Sequence, residues 1–115
     1  MKHLCLVYME PGGLDGLTPE ERETLDRESQ AYDEELARRG HFVAASALQP
    51  VETARTVRLR GSRKTVLDGP FAETKEVLVG FIFLEAADME EAVRLASDIP
   101  MARYAAIEVR PEYEF

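Results

Sequence analysis

Four charged side chains lie within a short stretch of this chain, residues 68–76, called here the motif segment. They are Asp68, Glu73, Lys75 and Glu76, and the intervening Gly69-Pro70 pair predicts a tight turn. Such a turn would let the carboxylates of Asp68 and Glu73 converge. A carboxylate beside a lysine at the edge of an apolar layer suits acid/base chemistry, because burial raises the carboxylate pKa and the cation moderates it. The alternative is that Asp68 caps its own turn and Lys75 forms ordinary ion pairs.

A histidine is the second candidate for proton transfer. His41 follows Gly40, where a helix is predicted to end, and it opens a predicted strand. Because imidazole titrates near neutral pH, His41 is the preferred partner for Asp68. Alternatively, it complements the C-terminal end of the helix as a surface cation. The predicted catalytic residues are therefore Asp68, His41, Lys75 and Glu73.

Three further residues are predicted to bind a ligand. Tyr8 and Phe71 would line a pocket, with core packing as the alternative for both rings. Arg110 would anchor an anionic ligand, or else pair with Glu73 or Glu76. Neither histidine of the chain has a carboxylate three or four residues further on, so the spacing predicts no metal site, and no cofactor is predicted.

The composition limits the classes of function. The chain has 115 residues, which predicts one domain spanning residues 1–115. Its formal net charge of −8 argues against direct binding of nucleic acid or of an anionic membrane. Cys5 is the only cysteine, which excludes an internal disulfide and fits a reducing cytoplasm. We expect Cys5 to be buried and to pack as a small hydrophobic residue. No apolar run is long enough to cross a membrane.

The hydrophobic patterning predicts six strands and two helices. Thr18-Pro19-Glu20-Glu21 has the residues of a capping box, and Asp88 with Glu91 forms a second helix start. The second helix should bury Met89, Ala92, Ala96 and Ile99. The predicted strands are 2–9, 41–48, 54–60, 64–67, 77–84 and 105–110, and the predicted helices are 19–39 and 89–99. This order indicates an α+β fold, a ferredoxin-like sandwich with an extra β-hairpin.

The first and fifth predicted strands are apolar on both faces, whereas the third alternates. Val57 and Leu59 point to one face of that strand, and Arg58 and Arg60 point to the other. This alternation predicts a strand near the edge of the sheet with one face exposed to solvent. Two helices can cover only one face of the sheet. We therefore expect a homodimer in which two sheets pack face to face, as in a dimeric α/β barrel.

The motif segment also carries a family resemblance. Its sequence, Asp-Gly-Pro-Phe-Ala-Glu-Thr-Lys-Glu, followed by Gly80, resembles the signature of the DGPF-motif branch of the YCII-related family. Residues 17–21 resemble the family's helix start, and residues 47–50 resemble the end of its second strand. The resemblance implies a dimeric ferredoxin-like α/β barrel. Val79 stands where this branch commonly has glycine, which would narrow a pocket beside the strand.

Two functions follow from these observations and from the resemblance. Some relatives in the wider family resemble cofactor-free lyases with a His/Asp pair. The first hypothesis is therefore a cofactor-independent enzyme that holds an apolar ring-like or carboxylated ligand between the sheet and the turn of the motif segment. Members of the DGPF branch are linked with sigma factors, which implies a non-catalytic, regulatory module that binds a ligand or a protein. A cavity bounded by Asp68 and His41 would favour the enzyme. Engagement of Asp68 by backbone hydrogen bonds would favour the module.

Overall fold

The structure is a computed structural model that describes residues 1–115. It contains six strands and two α-helices, with short 3-10 turns at Val51–Thr53 and Pro100–Arg103. In chain order the elements are β1 Lys2–Met9, α1 Pro19–Arg38, β2 Phe42–Ala47, β3 Arg55–Arg60, β4 Arg63–Asp68, β5 Val77–Glu85, α2 Met89–Ser97 and β6 Ala106–Pro111. The predicted order of elements is confirmed.

Four of the strands form one antiparallel sheet in the order β2-β5-β1-β6. The two long apolar strands are central, as their sequences predict. The two β-α-β units, with α1 and α2 on one face, give the arrangement of a ferredoxin-like α+β sandwich. The register shifts once between β1 and β5, where Val7 pairs with Gly80 and Tyr8 with Leu78, so that Val79 is skipped.

Both helices begin at the predicted caps. The Thr18 hydroxyl accepts a hydrogen bond from the Glu21 N–H at 3.1 Å, and the Glu21 carboxylate accepts one from the Thr18 N–H at 3.0 Å. The Asp88 carboxylate accepts from the Glu91 N–H at 2.8 Å. These contacts satisfy N–H groups that lack partners inside a helix. Gly40 follows the end of α1 with φ +80°, a conformation that favours glycine.

The core lies between the helices and one face of the sheet, called here the helix face. Its main cluster consists of Cys5, Tyr32, Leu36, Leu84, Ala86, Ala92, Leu95, Ala96 and Ile99. The predicted stripe of the second helix is wrong at Met89, which is the first residue of α2 and is 39% exposed. Leu95 was missed, although it lies three residues after Ala92 and four before Ile99, on the same side of a helix.

The opposite face of the sheet, called here the open face, has no covering layer. It carries the half-buried side chains of Leu4, Leu6, Tyr8, Phe81 and Phe83. The molecule measures 46 × 43 × 19 Å, and the short axis accommodates one sheet and one helix layer. A third layer would add about 10 Å. The chain therefore leaves the open face exposed.

Strands β3 and β4 form a separate two-stranded ribbon, Arg55–Asp68, called here the arm. The radius of gyration is 16.1 Å, against about 13 Å for a compact domain of this length. The prediction that the third strand lies near the edge of the sheet with only one face exposed to solvent is wrong, because β3 pairs only with β4 and both Val57 and Leu59 are at least 60% exposed.

Candidate functional site

The motif segment begins with a turn that is fastened to the base of the arm. The Gly69 N–H donates to the Ala54 carbonyl at 2.7 Å, and the Thr56 hydroxyl donates to the Gly69 carbonyl at 2.9 Å. Gly69 has φ +93°, which a residue with a Cβ rarely adopts. The Asp-Gly pair of the motif therefore closes the ribbon, a structural role.

The charged side chains of the motif segment do not share a buried site. Asp68 is paired with Arg55 at 3.5 Å and its side chain is 94% exposed. The Lys75 ammonium lies 3.5 Å from a carboxylate oxygen of Glu10 at the end of β1. Glu73 is exposed, and no hydrogen bond or ion pair joins it to Asp68. Exposed pairs of this kind contribute little free energy.

His41 lies at the other end of the sheet. Its Nδ1 atom is 2.8 Å from the Glu85 carbonyl oxygen, and the Glu85 N–H donates to the His41 carbonyl at 2.7 Å. Glu85 ends β5, whereas the motif segment immediately precedes Val77, which begins it. The length of β5 separates the two ends by about 26 Å. The expected pair of His41 with Asp68 is therefore not formed.

The predicted ligand-binding residues are also dispersed. Tyr8 is half-buried on the open face, next to Ala106 of β6. The Arg110 Nε atom lies 3.3 Å from a carboxylate oxygen of Glu108, so its expected pairing with Glu73 or Glu76 is wrong. Phe71 is 74% exposed, so its ring is neither in the core nor in a pocket.

A cavity of about 670 Å³ lies between α1 and the helix face of the sheet. Its apolar lining includes Val7, Met9, Leu25, Ala45 and Ile82. None of the seven predicted site residues lines it. Its volume lies within the range of about 300–1,000 Å³ that small-molecule sites occupy, and it combines an apolar floor with a polar wall.

The polar wall of the cavity is one stripe of α1. Arg22, Asp26, Ser29 and Asp33 line the cavity and are spaced by four, three and four residues, which places them on one side of the helix. This stripe is visible in the sequence as polar residues at helical spacing, and it lies beside the apolar stripe formed by Leu25, Tyr32 and Leu36. Charged residues at such spacing most often form a solvated helix face, so the spacing alone does not identify a site.

Asp33 is the most distinctive member of this stripe. Its side chain is half-buried, and this burial raises the pKa of its carboxyl above the ordinary value. It makes no hydrogen bond or ion pair with another side chain, so both carboxylate oxygens are available to a ligand. The neighbouring Tyr32 is engaged, because its hydroxyl donates to the Leu95 carbonyl at 2.6 Å. Burial, followed by the charge of Asp98, raises the pKa of Tyr32 to about 12.

The motif segment touches the rim of this cavity, although its side chains do not line it. Residues 77–80, directly after the segment, form part of the lining, and so does Glu10, the partner of Lys75. Val79, the departure from the DGPF pattern, is among these residues. A Cβ on Gly80 would lie 2.8 Å from the Ser46 carbonyl oxygen, so the close approach of β2 and β5 requires glycine there.

Two further features concern other kinds of chemistry. Burial raises the pKa of the Cys5 thiol to about 11, so Cys5 stays protonated and packs as a small hydrophobe, as predicted. No group of three or more His, Cys, Asp or Glu side chains is placed to hold a metal ion. Neither helix is long and apolar enough to span a bilayer.

The fold defines the class as a ferredoxin-like α+β domain, and comparison with known proteins defines the family. The model of the YCII-related domain family matches residues 1–115. An uncharacterised protein of Rhizobium meliloti (strain 1021), R00369, is 33% identical over 113 residues, which is 96% of this chain and 91% of the relative. The chain therefore belongs to the YCII-related family.

A solved structure has a similar fold. It is 5-chloro-2-hydroxyhydroquinone dehydrochlorinase (TftG) from Burkholderia phenoliruptrix AC1100, in complex with 2,5-dihydroxybenzoquinone. The TM-score is 0.57 at 18% sequence identity, and the match covers 100% of this chain and 96% of the enzyme. At this identity the likeness establishes the fold alone.

Proposed function

We propose that this protein is a small-molecule enzyme that holds a ring-like ligand in the cavity between α1 and the sheet and acts on it by acid/base chemistry. The observation that carries the proposal is Asp33, a half-buried carboxylate without a side-chain partner beside an apolar cavity. A general base needs a pKa raised toward the working pH, and burial moves the pKa of Asp33 in that direction. The dehydrochlorinase of similar fold, solved with a quinone, adds support for a ring-like ligand.

The residues of the stripe suggest how the chemistry would proceed. The Asp33 carboxylate would accept a proton from the ligand, and the electron pair left behind would expel a leaving group as an anion. Arg22 lines the same cavity about 16 Å further along α1, where its positive charge would attract an anionic ligand. The apolar floor formed by Val7, Met9 and Ile82 would exclude water from one side of the ring.

The homodimer is part of this proposal. The open face exposes a continuous set of apolar side chains across the two central strands, and the chain has no third layer to cover it. A second copy packed face to face would bury that surface, as in a dimeric α/β barrel. Tyr8 and Arg110 would then lie at the subunit interface, and their predicted role in ligand binding would require the partner's contribution. We place the protein in the cytoplasm.

A non-catalytic, regulatory module is the second candidate, and one observation favours it. The charged side chains of the motif segment are exposed and do not converge on a cavity, while Gly69 serves the arm. Such a segment is available to a protein partner, in keeping with a role beside a sigma factor. Catalysis would then be absent, and the cavity would bind a regulatory ligand or remain empty.

Binding and turnover of hydroxylated quinones test the proposal. Isothermal titration with 2,5-dihydroxybenzoquinone should show binding that Ala45→Phe abolishes by filling the cavity. Ala31→Phe, on an exposed position of α1, is the matched control and should bind normally. Spectroscopic assays with halogenated hydroxyhydroquinones should show turnover that Asp33→Asn removes while binding persists, whereas Glu34→Gln retains it.

The outcomes separate the two candidates. Binding that survives Ala45→Phe would place the ligand elsewhere and overturn the cavity assignment. Binding blocked by Ala45→Phe without turnover of any halogenated or hydroxylated ring would favour the regulatory module. Turnover that survives Asp33→Asn would remove Asp33 as the base.

A further inference from the structure

The arm has a charge opposite to that of the rest of the molecule. It carries five basic side chains and one acidic one, Asp68, giving a net charge of +4 in a chain whose net charge is −8. The remaining residues therefore carry −12. The five bases are Arg55, Arg58, Arg60, Arg63 and Lys64. This segregation gives the arm a strong preference for an acidic surface.

The two sides of the arm differ in chemistry. Pairing of β3 with β4 puts Val57, Leu59 and Val66 on one side, each at least 60% exposed, together with Arg55, Lys64 and Asp68. The other side presents Arg58, Arg60 and Arg63, together with Thr56, Thr65 and Leu67. An isolated two-stranded ribbon is marginally stable in water, and burial of its exposed aliphatic side chains against another surface would stabilise it.

We infer that the arm packs across a second copy of this chain, with its aliphatic side against the partner and its arginines beside the partner's acidic surface. This inference rests on the proposed homodimer. The thin dimension of the molecule shows that the arm extends beside its own sheet and does not fold over the open face. In a face-to-face dimer, an arm that projects beyond the edge of its own subunit comes alongside the other subunit.

Charge complementarity favours a second copy over nucleic acid. Helix α1 alone carries eight acidic and three basic residues, and the acidic residues dominate its exposed surface. A polyanion attracted to the arm would be repelled by the −12 charge of the remaining residues. Binding of a polyanion would also leave the side chains of Val57, Leu59 and Val66 exposed to solvent.

The inference also gives the motif segment a function. Gly69 and Thr56 fix the base of the arm, so the turn that opens the motif sets the direction in which the arm leaves the domain. Pro50, Val51 and Glu52, just before the arm, line the cavity. An arm held by a partner subunit would therefore stabilise the cavity wall of its own subunit, linking assembly to ligand binding.

Site-specific cross-linking tests where the arm lies. Cys5 is fully buried, so a cysteine introduced by Leu59→Cys is the accessible thiol for a photoreactive maleimide. Light and heavy isotope forms, unfolded and refolded together, should give cross-linked peptides that join a light subunit to a heavy one. The matched control is Val93→Cys, at an apolar position of α2 that is 47% exposed, and it should give no such pairs.

A second variant measures the energetic role of the arm. Val57→Asp with Leu59→Asp should raise the dimer dissociation constant at least roughly tenfold, since two aliphatic contacts are replaced by charges. Val93→Asp, which adds a similar charge to α2, should leave the constant unchanged. Sedimentation velocity across a concentration series gives both values, and circular dichroism checks the fold.

The possible failures are distinguishable. A wild-type protein that is monomeric at all concentrations would overturn both the homodimer and the arm contact. A dimer in which Leu59→Cys cross-links only within its own subunit, or not at all, would overturn the arm contact alone. Cross-linking of the arm to an added duplex DNA in preference to a second subunit would show that its partner is nucleic acid.

Discussion

The two faces of strand β1 have nearly the same hydrophobicity and very different surroundings. On the helix face, His3, Cys5, Val7 and Met9 are all at most 9% exposed. On the open face, Leu4, Leu6 and Tyr8 alternate with them and remain half-buried. The difference comes from the helix layer, which the chain supplies on one side only. An apolar face of a strand therefore indicates a surface that favours burial, and not whether the same chain covers it.

The polar residues on the two faces differ in the same way. His3, on the helix face, is enclosed so completely that its Nε2 atom has no hydrogen-bond partner, while its Nδ1 atom lies 3.2 Å from the Met1 carbonyl oxygen. On the open face, Glu108 and Arg110 form an ion pair exposed to solvent. A buried group without a partner costs free energy, whereas exposed pairs are nearly neutral. The unpartnered Nε2 atom therefore reflects how completely the helix layer encloses one face, whereas the polar groups of the open face remain in contact with solvent.

Truncating a side chain on each face should give unequal losses of stability. Leu84→Ala, at a position with 0% exposure, should lower the free energy of unfolding by about 2–5 kcal/mol through lost burial and a new cavity. Leu4→Ala on the open face should cost less under conditions that keep the protein monomeric. Urea unfolding monitored by circular dichroism gives both values. Equal losses would contradict the contrast between the faces.

A charge on the open face should affect assembly more than folding. Phe81→Asp should raise the dissociation constant of the proposed homodimer by roughly 10- to 100-fold, because burial of an aromatic ring contributes about 1.5–3 kcal/mol. Sedimentation equilibrium measures the dissociation constant. Val93→Asp, which adds a charge on the exposed surface of α2, is the control. A dissociation constant unchanged by Phe81→Asp would show that the open face is not the interface.

The arm offers a third contrast, through the glycine at its base. Gly69→Ala should cost about 1–2 kcal/mol, because φ +93° is unfavourable for a residue with a Cβ. The loss should appear as faster amide exchange in residues 55–68 with little change in β1. Gly16→Ala is the matched control, since Gly16 has no positive φ and a Cβ there would contact nothing within 4 Å. Faster exchange throughout the sheet would mean that the arm and the sandwich unfold together.

The sequence predicted local structure well, because local signals determine it. The capping residues Thr18 and Asp88 located both helices, and the lengths of the apolar runs located the central strands. It did not predict that β3 and β4 would leave the sheet. A strand at the edge of a sheet and a strand in a free ribbon can have the same alternation of apolar and polar residues. The two arrangements differ in the route of the chain, which here is set by the turn at Gly69.

The site was harder to predict, because it depends on which distant residues come together. The spacing within the motif segment suggested convergence, but the turn serves the arm and leaves Asp68 in solvent. His41 and Asp68 are separated by the length of β5. Predicting this separation requires knowing that His41 lies beside Glu85, the last residue of that strand. Asp33 belongs to a stripe visible in the sequence, but a polar stripe beside an apolar one is usually solvated. Only the gap between α1 and the sheet distinguishes it.

Removing the half-buried carboxylate should have the smallest effect on stability, and its sign is informative. Burial raises the pKa of Asp33, so the folded state holds the proton more tightly than the unfolded state. The ionised carboxylate therefore lowers stability as the pH rises from the unfolded pKa, about 3.9, through the raised folded pKa. Asp33→Asn cannot ionise and should be slightly more stable than the wild type at neutral pH, an advantage that disappears in acid. Thermal unfolding across this pH range, with Glu34→Gln controlling for a charge lost from the same helix, measures the difference. An Asp33→Asn variant that is less stable than the wild type at pH 7 would show that the ionised Asp33 makes a favourable contact in the folded protein. A carboxylate engaged in such a contact is a poor candidate for the base that accepts a proton from the ligand.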